Sequence, residues 1–211
     1  MRKFIFIALL AISSIAVAGD FYKAGVDYDV ITPAQPTDDS NKVEVAEVFW
    51  YGCGHCFSFE PFLEPWAKNL AEDVNYKRIP AVFSPQWEVH ARAYYTADVL
   101  DVSEKTHTAL FNAIHNKKQA LNTPARLAGF YEAYGIDKEL FLNTYKSFVV
   151  NTKVARAKAV VPKFGIQGVP AMVVDGKYLI TGPKAKSFEN MLKIADFLIA
   201  KEREEKNLEA K

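Results

Sequence analysis

The spacing of apolar positions changes several times along the chain, and each change marks an element. After an uncharged run from Phe4 to Val17, the stretch Val26 to Ile31 alternates apolar and polar residues as a strand does. Thr32 to Lys42 carries Pro33, Pro36 and Asp38-Asp39-Ser40-Asn41, which predicts a turn-rich loop. Val43 to Tyr51 is rich in β-formers and predicts a second strand. Phe59, Phe62, Leu63, Trp66 and Leu70 then recur at helical spacing, the buried stripe of a helix. Pro61 falls inside that helix and removes the hydrogen bond to the Phe57 carbonyl, which predicts a kink. Asn75 to Phe83 reads as a third strand.

From Gln86 to about Phe164 the period is helical throughout. His90 to Leu100, Lys105 to Lys117, Pro124 to Tyr134 and Lys138 to Phe148 each carry apolar residues three and four apart, separated by Ser103, Thr123-Pro124 and Gly135. Strand character returns at Val169 to Val174, Asp175-Gly176 is a hairpin turn, and Lys177 to Thr181 is its partner strand. An amphipathic helix from Lys186 to Glu202 and a solvated tail from Arg203 to Lys211 complete the pattern. The order β-β-α-β, helical block, β-β-α predicts an α/β fold with a helical domain inserted between the third and fourth strands. Its first part is expected at residues 19–83, the insertion at 84–157 and the second part at 158–211.

Charge changes the picture only at the N-terminus. The chain of 211 residues has 26 basic and 25 acidic side chains, a balance that provides no basic footprint for nucleic acid. Arg2-Lys3, the apolar run after it and Ala16-Val17-Ala18 have the form of a secretory signal, residues 1–18, and the run is too short to span a bilayer, which takes about 20 residues. Cleavage there leaves 24 basic and 25 acidic residues, a near-neutral exported protein.

Export sharpens the meaning of the two cysteines, Cys53 and Cys56, in Glu47-Val-Phe-Trp-Tyr-Gly-Cys-Gly-His-Cys-Phe-Ser-Phe-Glu60. A disulfide across two intervening residues removes little chain entropy and is a poor staple. Covalent haem attachment needs a histidine directly after the second cysteine, where Phe57 stands. Structural zinc takes four ligands, commonly from two separated pairs. Cys53, Cys56 and His55 have no second pair to join, and His90, His107 and His115 lack ligand spacing. A redox pair fits better. At a strand-to-helix junction Cys53 sits at the helix N-terminus, where unpaired N–H groups and the helix dipole favour a thiolate. Cys56, one turn further in, is shielded and serves as the resolving thiol. Gly54 lets the backbone turn closely around the pair, and His55 adds charge or a hydrogen bond. Far along the chain, Pro170 opens a strand, a place proline avoids unless it lies at an edge or is cis.

Element order, Cys-Gly-His-Cys and Gly168-Val-Pro-Ala-Met172 together resemble the DsbA family, thiol:disulfide oxidoreductases of the thioredoxin fold, over essentially the whole mature chain. The resemblance implies Cys53 as nucleophile, Cys56 as resolving cysteine, and Pro170 as a cis-proline facing them with Val169 before it. It also implies Glu47 as an acid buried beneath the pair, with Arg78 as a looser basic counterpart, and matches Pro61 to a helix-kinking proline. Position 54 departs from the Cys-Pro-His-Cys of the best-known members, and Cys-Gly-His-Cys is the motif of protein disulfide isomerase. The implied function is a periplasmic, monomeric dithiol oxidase without cofactor or metal. It would form disulfides in unfolded exported proteins and be reoxidised by a quinone-linked membrane oxidase of the DsbB type. Phe59, Leu63 and Met172 are candidates to line a groove for extended peptide. The alternatives are an isomerase or reductase on the same fold, and a peptide-binding chaperone whose disulfide is incidental.

Overall fold

The computed structural model describes residues 21–207, so the expected signal segment at residues 1–18 lies outside the described residues. Strands β1 (Asp29–Val30), β2 (Val43–Phe49), β3 (Val74–Pro80), β4 (Ala171–Val174) and β5 (Tyr178–Thr181) form one sheet in the order β1-β5-β4-β2-β3. Helix α1 (Gly54–Lys68) links β2 to β3, which pair in parallel, because a parallel pair needs a crossover and a helix supplies it. Helices α2 (Pro85–Val99), α3 (Ser103–His115), α4 (Pro124–Glu132), α5 (Lys138–Tyr145) and α6 (Phe148–Val160) follow β3 and lead back to β4. The short α7 (Gly182–Ala185) and the long α8 (Phe188–Lys206) end the fold. No helix of the described residues is long and apolar enough to cross a membrane.

Every residue of β2 is buried, because helices cover both faces of this central strand. On one face Val43 and Val45 pack with Phe59 and Leu63 of α1 and Leu198 of α8. On the other, Ala46 and Val48 pack with Ala157 of α6 and Val161 just beyond it. The inserted helices bury a second cluster, with Leu110, Phe111, Leu127, Tyr131 and Phe141, that Phe49, Tyr51 and Cys56 join from the sheet side.

Several boundaries differ from expectation. β1 keeps only two residues, paired as Asp29 with Leu179 and Val30 with Tyr178 at the sheet edge. β2 stops at Phe49, since Trp50 and Tyr51 enter the turn that Cys53 N–H closes onto the Trp50 carbonyl at 2.9 Å. Helix α1 runs on through Pro61 and through Pro65, both on its exposed side. The helix expected over Lys138 to Phe148 ends at Tyr145, and Ser147 accepts the N–H of Val150 and caps a separate α6 that follows it. The last helix continues past Glu202, and Arg203 is no part of a free tail: its guanidinium holds both carboxylate oxygens of Asp73.

Candidate redox site

The junction of β2 and α1 sets the mouth of the site. Cys53 is the N-cap of α1 with extended backbone (φ −86°, ψ 117°), and its Sγ accepts the N–H of Cys56 at 3.4 Å. That is the place where a serine or aspartate oxygen normally satisfies an orphan N–H, here taken by sulfur. One turn in, the side chain of Cys56 falls on the inner face of α1 and is fully buried, whereas Cys53 is half-buried. The cis Val169–Pro170 bond sits just ahead of β4, and the Cys53 thiol donates to the Val169 carbonyl at 3.4 Å. His55 is exposed beside the pair.

The two thiols have opposite electrostatics. The Cys56 thiol donates to Cys53, and with the N–H groups of Cys56 and His55 and the His55 charge it pulls Cys53 down to about 6, against burial. Burial pushes Cys56 far up, and a charged Cys53 and Glu47 push it further. Near neutral pH the site therefore presents one accessible thiolate and one buried thiol.

Beneath the pair lies a polar floor inside the core. Glu47 stands directly opposite Arg78 in the β2–β3 register and opposite Met172 in the β2–β4 register, on the sheet face that α1 covers. It is fully buried; its Oε2 accepts from Tyr76 Oη at 3.2 Å and from Arg78 Nε at 3.2 Å. Glu60 of α1, also buried, has its Oε2 3.7 Å from Arg78 Nη2 and its Oε1 3.2 Å from His107 Nε2. His107 Nδ1 is 2.8 Å from the Tyr51 hydroxyl. Burial, then the neighbouring Glu60, pushes Glu47 up to about 7; burial, opposed by Arg78, does the same to Glu60. The sequence reading did not single out Glu60, Tyr51 or His107 as site residues. A signal existed for Glu60: it lies four residues past Cys56, a charge on the inner stripe of an amphipathic helix. Glu47, Glu60 and His107 bring three ligand atoms within 4.8 Å of one another. Arg78 lies against both carboxyls, so the protein's own cation supplies the counter-charge there.

Residues 62–194 match the DSBA-like thioredoxin domain, a span that starts beyond the cysteine pair and covers more than half of the chain. The thiol:disulfide interchange protein DsbA of Pseudomonas aeruginosa is 41% identical over 206 residues, covering 96% of this chain and 98% of the relative. The DsbA of Azotobacter vinelandii is 41% identical over 211 residues, with 96% and 99% covered. The crystal structure of P. aeruginosa DsbA aligns with a TM-score of 0.83 at 42% identity, over 86% of this chain and 95% of that one. That of the oxidoreductase DsbA from Xylella fastidiosa aligns with a TM-score of 0.82 at 38% identity, over 86% and 98%. The chain belongs to the DsbA family. It is a thiol:disulfide oxidoreductase built on the thioredoxin fold with a helical insertion.

Two details of this DsbA-family site correct the sequence reading. Phe59, Leu63 and Met172 do not line a groove. All three are fully buried, because positions 56, 59, 60 and 63 of α1 point into the sheet and Met172 shares the face of Glu47. The cleft beside the pair, of about 1010 Å³, is instead lined by His55, Phe62, Val169, Pro170 and Phe188 among others. Phe59 acts from below, stacking under Phe188 with ring centroids 5.2 Å apart. Gly54, for its part, is not needed for a close turn. A Cβ there meets nothing within 4 Å, and its φ is not in the left-handed region. Within this turn the sterically obligatory glycine is Gly52, where a Cβ would lie 2.3 Å from the Trp50 ring.

Proposed function

We propose that this protein is a periplasmic dithiol oxidase that forms disulfides in unfolded exported proteins. The observation that carries the direction is the asymmetry of the thiols: a half-exposed Cys53 held near 6 and a buried Cys56 held as thiol. A stabilised thiolate favours the dithiol form, and a stable dithiol makes the disulfide form an oxidant.

Atoms and electrons balance at each step. A client thiol loses its proton to solvent, and its sulfur attacks Cys53 Sγ of the Cys53–Cys56 disulfide. The S–S bond breaks, Cys56 leaves as a thiolate, and its strong preference for the thiol draws a proton from the carboxyl pair of Glu47 and Glu60. A second client thiolate then attacks the client sulfur of the mixed disulfide, and Cys53 leaves as its stabilised thiolate. The client is oxidised by two electrons and the enzyme keeps them as a dithiol. Pro170, which has no N–H, and the Val169 carbonyl form an edge against which an extended client segment can lie beside Cys53. The partner for reoxidation, on this reading, is a quinone-linked membrane oxidase of the DsbB type, and the working unit is a monomer.

Equilibration of the purified protein against glutathione buffers tests the direction. A midpoint at or above about −180 mV, the isomerase range, supports an oxidase, and one near about −270 mV, that of thioredoxin, overturns it in favour of a reductase. Oxidation of a reduced unfolded client in the same buffers separates an enzyme from a binding chaperone, which would hold the client without turnover.

A further inference from the structure

The redox pair is bracketed by contacts that the exchange steps do not use. His115, the last residue of α3 in the inserted helical domain, reaches the chain on both sides of the pair. Its Nε2 lies 2.8 Å from the carbonyl oxygen of Tyr51, which precedes Gly52 and Cys53. Its ring lies flat on that of Phe57, the residue directly after Cys56, with centroids 4.9 Å apart and planes 9° from parallel. We propose that His115 is a positioning residue of the redox reaction: it clamps both flanks of the Cys53–Cys56 segment onto α3 and so keeps the open dithiol in the geometry that the closed disulfide imposes covalently. The inference rests on the oxidase reading and deepens it, because a clamp that stabilises the dithiol makes the disulfide a stronger oxidant.

The sense of the hydrogen bond follows from its acceptor. A carbonyl oxygen only accepts, so His115 Nε2 carries a proton and donates it to Tyr51. Tyr51 is the junction of the turn. Trp50 before it supplies the carbonyl that Cys53 N–H closes onto, and Gly52 after it makes room for the Trp50 ring. The Tyr51 side chain is buried, and its hydroxyl meets His107, about two turns earlier on α3. Helix α3 therefore holds Tyr51 by its backbone and by its side chain. On the other flank Phe111 of the same helix packs 6.2 Å from the Phe57 ring and 6.0 Å from that of His115. A histidine that only complements the carbonyl end of its own helix needs none of these partners. Here the ring nitrogen is spent on a carbonyl 64 residues away.

The clamp acts differently in the two redox states. With the disulfide closed, the S–S bond ties Cys53 to Cys56 whatever surrounds them. With both cysteines free, as the structure describes them, Cys53 Sγ is held by two long contacts, the Cys56 N–H and the Val169 carbonyl, each at 3.4 Å. Both depend on where the turn carries Cys53 relative to the first turn of α1. His115 fixes that relation, because Tyr51 belongs to the turn and Phe57 to the helix. Loss of the clamp therefore costs the dithiol form more than the disulfide form. Coupling is reciprocal, so the difference between the two costs appears in full as a change in the reduction equilibrium.

The test combines denaturant melts of the disulfide and dithiol forms with equilibration against glutathione buffers, for wild type, His115→Leu, His115→Phe and His115→Gln. His115→Leu removes the donor and the flat ring together. It should destabilise the dithiol form more than the disulfide form and move the equilibrium about tenfold toward the disulfide, about 30 mV. His115→Gln, which still offers a side-chain N–H to the Tyr51 carbonyl, should stay within about threefold of wild type, and His115→Phe, which keeps only the stack, should fall between the two. Equal destabilisation of both forms by His115→Leu, with the equilibrium unmoved, is what a merely structural histidine gives, and it overturns the proposal. So does a His115→Gln that behaves as His115→Leu does. If His115→Leu does not fold, Phe57→Leu decides: it removes the stack alone and should move the equilibrium about threefold the same way, and an unmoved equilibrium overturns the clamp. A wild-type midpoint in the thioredoxin range sinks the oxidase reading, while the difference between the two forms still judges the clamp.

Discussion

Cys53 and Cys56 are the same residue three positions apart, and they live in two different regions. The mouth is wet, lined by backbone N–H groups and a cis-proline edge, and it favours an anion. The floor is dry, holds two carboxyls around one guanidinium, and favours protons. Opposite solvation divides the two sulfurs: the mouth favours a thiolate, and the floor favours protonated groups. The same contrast gives the two regions opposite pH signatures. Cys53 is depressed from 9.0 to about 6, so it favours the folded dithiol fully above 9 and loses that contribution as pH falls through about 6. Glu47 is raised from 4.5 to about 7, so its burial costs stability as pH rises from about 4.5 through 7.

The largest test of the contrast removes one sulfur at a time. Cys53→Ser should abolish client oxidation, measured as loss of free client thiols. Cys56→Ser should instead let Cys53 hold mixed disulfides that gels resolve without reductant; equal behaviour of the two variants would erase the distinction between mouth and floor. Next in size is Glu47→Gln, which keeps acceptors for Tyr76 and Arg78 but removes the titration. A carboxyl raised from 4.5 to about 7 is linked to about 3 kcal/mol, so denaturant melts between pH 5 and 8 should flatten by up to that amount. Gly52→Ala probes the wall of the mouth. Trp50 stacks on Trp87 at 4.3 Å and 8°, so its ring cannot swing aside from a new Cβ, and thermal unfolding should show a loss of about 1–3 kcal/mol.

A smaller effect appears in the midpoint potential itself. Below about pH 6 reduction takes up two protons with two electrons, and above it only one, because Cys53 stays ionised while Cys56 does not. The slope should change from about −59 to about −30 mV per pH unit near that point. A single slope across the range would mean that the thiols are not so divided. The smallest effect is at position 54. Gly54 is the first residue of α1, where proline is favoured and no bonded N–H is lost, so Gly54→Pro should fold normally and gain about 0.4–1 kcal/mol in the same melts.

Much of this architecture is legible in the chain itself. Strand and helix periods locate the elements, and the cysteine pair at a strand-to-helix junction identifies the chemistry. Glu47 is named through the family resemblance alone, from its place six residues ahead of Cys53. The misassigned residues have a common cause. Phe59 and Leu63 share the apolar stripe with Phe62, and a helical period alone does not say which edge of the stripe meets the sheet. About 60° around the helix separates the buried Phe59 from Phe62, which is 38% exposed. Gly54 invited a reading from glycine's freedom, but its φ is outside the left-handed region and a Cβ there meets nothing, whereas at Gly52 of the same turn the missing Cβ makes room for the Trp50 ring.

The sequence by itself determined the reacting atoms, their place at a helix N-terminus and the α/β order around them, because those depend on neighbours along the chain. The tertiary structure decided the floor. Glu60 and His107 are 47 residues apart, and Tyr51 and His107 are 56 apart. They meet only because α3 of the insertion docks on α1 above a sheet whose register turns Glu47 and Arg78 to the same side. Burial, and with it the upward shifts of Cys56, Glu47 and Glu60, is a property of that packing, whereas the lowering of Cys53 comes from its chain neighbours at positions 55 and 56.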